Sequence, residues 1–123
     1  MKDILISFFL FAVVGIGTLL CRSFGWYNEY WFADIVLHTL SGLGFGFAWL
    51  WLCRGRVPAL IAGIGAIGFA CLGSVIWEWW EFFGWHITPS HARFYIPELG
   101  DTLGDIACGV LGGIISSFSY RKK

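Results

Sequence analysis

Asp34, His38, Glu78, Glu81, Asp101 and Asp105 fall inside or at the edge of stretches apolar enough to cross a membrane, in a chain with eight acidic residues. A charge carried into hydrocarbon costs about 2.5–3.5 kcal/mol even on insertion scales, so ionisable groups clustered there mark a functional site by default. They come in three pairs, Asp34/His38, Glu78/Glu81 and Asp101/Asp105, at spacings of four, three and four. Each spacing puts both members on one face of a helix. Carboxylate oxygens with an imidazole suit Mn, Fe, Zn, Mg or Ca, and helical bundles build such sites from acids and His projected by facing helices. Carboxylates held within a few ångströms repel one another, and a divalent cation relieves that repulsion. One such pair occurs by chance on many solvated helices; the weight lies in three pairs at one place.

The elements that must position them are membrane spans. A hydrophobic fraction of 58%, 8 Trp in 123 residues and a mean hydropathy of +0.73 exceed what a water-soluble domain carries. Four apolar segments, about 4–20, 31–53, 57–83 and 99–120, approach the ~20 residues that span a bilayer as a helix. The chain is therefore expected to be an all-α integral membrane protein, with four transmembrane helices in one small bundle that forms a single domain, 1–123. Basic and acidic residues balance at eight each, which leaves no net field to attract nucleic acid. With both termini cytoplasmic, Lys2, Arg54, Arg56, Arg121, Lys122 and Lys123 lie inside and only Arg22 and Arg93 outside, as the positive-inside rule requires. A multi-pass protein of a bacterial-type inner membrane is the expectation. A cleaved leader before Cys21 is disfavoured, because Leu20 stands where a small residue is wanted. Cys21, Cys53, Cys71 and Cys108 have neither disulfide-frame nor zinc spacing and read as small hydrophobes.

In this topology all six chemistry-bearing residues lie at the outer end. Each set also continues a stripe of small residues spaced by four: Asp34, His38, Gly42, Gly46; Ala62, Ala66, Ala70, Ser74, Glu78; and Asp101, Asp105, Gly109, Gly113, Ser117. Small faces are where transmembrane helices meet, since close backbone approach supplies packing that lipid cannot drive. Spans two, three and four are thus expected to converge and enclose a polar chamber of five carboxylates and one imidazole. The first span, offering Gly15, Gly17 and Thr18, braces it from outside. Loop residues His86, His91, Arg93 and Glu98 are candidates for a lid at its mouth. Trp77, Trp79 and Trp80 read as interfacial anchors, and no serine or cysteine nucleophile lies beside an activating base.

The order Asp34-x-x-x-His38-x-x-x-Gly42, then Glu78-Trp79-Trp80-Glu81-Phe82, then Gly100-Asp101-x-x-x-Asp105-x-x-x-Gly109 resembles the YjdF-like inner-membrane proteins and, more distantly, the VanZ-like group associated with glycopeptide resistance. The resemblance covers residues 31–113 and implies a multi-span fold in which the acids matter, without supplying a substrate.

The functional expectation is an outer-leaflet site where Asp34, His38, Glu78, Asp101 and Asp105 hold a divalent metal (Mn, Fe, Zn or Mg). Glu81 and Asp105 would be its catalytic carboxylates, acting as a hydrolase or transferase on a lipid-linked or amphiphilic envelope substrate. Two other readings stay open: a non-catalytic structural or partner-binding module whose acids form a polar network, and an oligomeric ion transporter. The inner halves of all four spans carry no charged side chain, so a relay through one monomer is disfavoured.

Overall fold

The computed structural model of the chain describes residues 1–87 and 98–120. Among these residues every regular element is a helix: α1 (Lys2–Phe24), a one-turn α2 (Trp26–Glu29), α3 (Phe32–Leu52), α4 (Ala59–Ile87) and α5 (Leu99–Ser117). The four long helices, of 23, 21, 29 and 19 residues, are each long and apolar enough to cross a membrane. The side bearing Asp34, Glu78 and Asp105 is called the acidic end, and the side bearing Arg54 and Arg56 the basic end.

Local chemistry sets the boundaries. At the acidic end α1 stops on Gly25, whose φ of 71° is left-handed and whose N–H bonds back to the Cys21 carbonyl, a backbone cap that favours glycine. At the basic end Arg56 N–H closes a turn on the Cys53 carbonyl at 2.9 Å. Pro58 then opens α4 by accepting from Ala62 N–H at 2.9 Å; proline fits there because an N–H at that point would have no intrahelical partner. The third span therefore begins at Ala59 rather than 57. It also runs past 83 to Ile87, for the sequence holds no proline between Pro58 and Pro89. Beyond Ser117 the chain leaves α5, and the Tyr120 hydroxyl donates to the Val57 carbonyl at 3.0 Å, which ties the last span to the start of α4.

α3 is the centre of the bundle: it packs against α1, α4 and α5, while α4 and α5 also pack on each other. α1 makes no close backbone approach to α4 or α5; it is fastened to α3 by Ser7, buried, donating to the Gly44 carbonyl at 2.9 Å. The small stripes meet where the sequence puts them. A Cβ on Gly42 would run into the backbone of Gly109, and one on Gly112 into the backbone of Thr39 and Leu43, so α3 and α5 touch main chain to main chain. On α4, Ala62, Ala66 and Ala70 are fully buried and Ser74 nearly so. The α5 stripe departs from the expected four-residue stepping, since Gly112, Gly113 and Ser116 are buried and Ser117 is only half-buried. Steps of four turn about 40° further than a full helical turn, so after three steps the inward face has passed to the preceding residue.

Candidate functional site

The layer formed by Gly42, Gly109 and Ser74 decides what lies one turn nearer the acidic end. Because these residues let α3, α4 and α5 close up, the side chains four positions away, His38, Asp105 and Glu78, are driven into one another's company. His38 is only 4% exposed. Its Nε2 lies 3.4 Å from Asp34 Oδ1, one turn away on α3, and 3.7 Å from Asp105 Oδ2 on α5. Its Nδ1 faces Glu78 Oε1 of α4 at 3.9 Å. Three helices thus deliver carboxylates to both nitrogens of one imidazole.

Two compact groups follow, Asp34/His38/Asp105 and His38/Glu78/Glu81, each with its donor atoms within 4.8 Å of one another. Donors about 2.1 Å from a common ion stand roughly 3.0–3.4 Å apart when adjacent. The two Nε2 separations are therefore within a few tenths of an ångström of a closed coordination shell. Glu78 and Asp105 are about as buried as His38, and Glu78 Oε1 has no hydrogen-bond partner among the described residues. A buried carboxylate oxygen left unsatisfied is costly, and a cation or a donor arriving at that oxygen would remove the cost.

Glu81 lies beside this core. Arg22 Nη2, from the acidic end of α1, donates to Glu81 Oε1 at 3.4 Å, the only side-chain bond between α1 and α4 among the described residues. Asp101 is exposed and belongs to neither group of donors. It sits in the first turn of α5, beyond the cover of α3 and α4, where an acid also complements the positive end of the helix. The expected chamber of five inward acids is thus a core of Asp34, Glu78 and Asp105 about His38, with Glu81 at its side and Asp101 at the surface. His86 is exposed and engages the Phe82 carbonyl through Nδ1 at 2.8 Å, and Glu98 is exposed. His91 and Arg93, and with them the expected lid, lie outside the described residues.

The neighbouring serine hydroxyls are committed elsewhere. Ser41 donates to the His38 carbonyl at 2.9 Å and Ser74 to the Ala70 carbonyl at 3.0 Å, the back-bonding usual for serine in a helix. All four cysteines are free thiols. From this layer to the basic end the interior is Gly, Ala, Ser and apolar side chains packed nearly without exposure, and the charges of α1 there, Lys2 and Asp3, stand at its first turn.

Sequence reasoning gave Thr18, Tyr27, Trp77 and Arg22 no part in this site. A narrow pocket beside His38 is lined by Thr18, Tyr27, Asp34, Ser41 and Trp77 among others. Trp77, expected to be an interfacial anchor, is instead half-buried and meets the His38 ring edge-on, centroids 6.2 Å apart. Its position one residue before Glu78 turns it inward, whereas Trp79 and Trp80 are exposed. Burial pushes the Tyr27 phenol up to about 12, which keeps it a neutral hydrogen-bond donor at the rim. Arg22 carried a signal that could have been used: it is the one basic residue at the acidic end of the first span, four positions after Thr18.

Over residues 1–122 the chain matches the family described as predicted membrane protein (DUF2238), and it belongs to that family. No curated protein and no solved structure matches it. The match supports the membrane-protein part of the resemblance drawn from the motifs, and not the YjdF-like or VanZ-like names.

Proposed function

We propose that this member of the membrane family binds one divalent cation at its acidic end and hydrolyses or transfers a phosphoryl or ester group of an amphiphilic, lipid-linked envelope substrate. The observation that carries the reading is the buried imidazole met by carboxylates from three helices. Asp34, His38 through Nε2, and Asp105 are the donors; two carboxylates and one imidazole suit Mn, Fe, Zn or Mg. Glu78 faces the other ring nitrogen and orients it, as an acid behind a ligating histidine does. Asp101 is an outer carboxylate that screens the site rather than holding the ion.

When bound, the ion would polarise the scissile oxygen and acidify a water. Glu81 would serve as the general base, taking a proton from the attacking water and returning it to the leaving alkoxide, so that one ester bond breaks and one new bond to oxygen forms. Hydroxyls bonded to their own helix leave Ser41 and Ser74 outside this chemistry. With Lys2, Arg54 and Arg56 at the other end and Arg22 alone at this one among the described residues, the acidic end faces away from the cytoplasm, in a bacterial-type inner membrane.

Elemental analysis of protein purified in mild detergent without chelator tests the reading. Near-stoichiometric Mn, Fe or Zn in the native chain, lost in Asp105→Asn without loss of fold, is expected. A second reading has its own support: with carboxylates facing both ring nitrogens, His38 is held by their charge in a polar network that only fastens the helices. Under that reading no added divalent metal binds, Mg included, and Asp105→Asn lowers the unfolding temperature instead.

A further inference from the structure

Because α1 packs on α3 and makes no close backbone approach to α4, a groove of about 470 Å³ opens between α1 and α4 toward the lipid. That volume is within the roughly 300–1,000 Å³ of small-molecule sites. Its floor is small on one side, at Gly15, and aromatic on the other, at Trp77 and Trp80. Arg22 stands at its acidic end, half-exposed and joined to Glu81 by a single long contact of 3.4 Å. It is the only Lys or Arg at that end among the described residues. One turn deeper on the same face of α1 is Thr18, which lines both the groove and the pocket beside His38. Thr18 is 8% exposed, and its buried hydroxyl has only the nearby Tyr27 phenol to meet, with no bond at good geometry among the described residues.

We propose that this groove is the lateral portal for a phosphate-bearing membrane lipid, with its phosphate on Arg22, its linkage oxygen on Thr18 and one acyl chain lying past Gly15 against Trp77 and Trp80. A guanidinium is the side chain best shaped for phosphate, and the Thr18 hydroxyl can donate to an ester oxygen. Arg22 and Thr18 are one helical turn apart, about 6 Å along and across the surface, the scale of a phosphate and its first ester. Trp77 lines the groove and meets the His38 ring in a T-shaped contact, so the lipid's head linkage arrives beside the acidic cluster. Glu81 belongs both to the Arg22 pair and to a donor group on His38; a cation drawing Glu81 inward would free Arg22 for the phosphate. The proposal rests on the preceding functional reading only in naming that lipid as the substrate; the groove itself stands on α1 and α4.

The test is photolabelling of the full chain in mild detergent with a phosphatidic acid carrying a diazirine on its acyl chain, against a diacylglycerol with the same chains. Phosphatidic acid should label α1 around Gly15 and α4 at Trp77 and Trp80. Gly15→Phe fills the groove where a side chain at 15 meets no neighbour, and should cut this labelling at least tenfold. Arg22→Gln should cut it tenfold for phosphatidic acid while leaving the weaker diacylglycerol labelling unchanged. Labelling spread equally over the outward face at Leu5, Phe8 and Phe9, or unmoved by Gly15→Phe, overturns the portal. Equal labelling by the two lipids overturns the phosphate anchor. Metal content is read on the same samples. Groove labelling without metal overturns the cation reading and leaves the portal standing, and metal without groove labelling does the reverse.

Discussion

Asp105→Asn is the substitution on which the cation reading turns, because asparagine keeps the shape of the side chain and removes only its charge. Asp105 is 5% exposed and its Oδ2 is 3.7 Å from His38 Nε2, so in the proposed site it is a direct anionic donor with no water to replace it. Removing a group that merely orients a ligand costs about 10–100-fold in metal affinity; removing the donor itself should cost at least ~100-fold, or ~2.8 kcal/mol at ~1.4 kcal/mol per tenfold. Glu78→Gln, on the far nitrogen of the ring, should fall in the lower range, about 10–100-fold. Asp101→Asn, exposed and outside the donor groups, should change affinity less than about threefold, since exposed charges are screened by solvent and salt. The assay is calorimetric titration of chelator-stripped protein in detergent with Mn²⁺ and then Zn²⁺, each variant checked for its native helix content. If Asp101→Asn weakens binding as much as Asp105→Asn does, or if Asp105→Asn binds like the unchanged chain, the assignment of donors is wrong.

Other consequences follow from the packing and the rim. Gly112→Ala places a methyl against the backbone of Thr39 and Leu43 and should destabilise the bundle by roughly 1–3 kcal/mol as an overpacked contact. Gly104→Ala, with nothing within 4 Å, should be neutral or gain up to ~1 kcal/mol of helix propensity; equal effects of the two in a denaturing-detergent titration would refute the close approach of α3 and α5. Ser7→Ala loses a buried bond to the Gly44 carbonyl and should cost about 0.6 kcal/mol, and no more than about 1.7, as interhelical hydrogen bonds in membranes do. Tyr27 has its folded phenol raised from 10.0 to about 12 by burial. Its contribution to stability is therefore whole below pH 10 and is lost as pH rises toward 12. Spectrophotometric titration against Tyr27→Phe should assign a late-ionising phenol to this residue, and ionisation near pH 10 would contradict the burial.

Much of the fold was legible because membrane helices obey length and small-residue rules that a sequence displays directly. Gly42, Gly46 and Gly109 mark the contact between α3 and α5 by being glycine, and Ala62, Ala66 and Ala70 mark the buried face of α4 by being alanine. The third span's limits were less legible, since hydropathy fades at Phe83 while the helix runs on past Gly84 to Ile87. Which acids meet was only partly legible for a related reason: a spacing of four is nearly, but not wholly, one turn. Asp105 sits above Gly109 on the inward face, whereas Asp101 has rotated outward in the opening turn of α5.

What the sequence hid most completely is the asymmetry of α1. Its stripe of buried residues, Ser7, Leu10, Val14, Thr18 and Cys21, reads like any amphipathic face. Nothing in the one-dimensional pattern says that this face meets α3 and leaves α4 exposed. That choice brings Arg22 within reach of Glu81, although the two are 59 positions apart. It converts an acid that would otherwise be one more carboxylate of the cluster into one shared between the cluster and a base. Glu81 is thus the hinge between the cation and lipid readings. Glu81→Gln removes a charge that Arg22 needs when the cation is absent, so it should strengthen phosphatidic acid labelling in chelator-stripped protein by several-fold and leave diacylglycerol labelling unmoved. Labelling that instead falls with Glu81→Gln would mean that the pair, rather than free Arg22, shapes the groove, and the coupling would have to be abandoned.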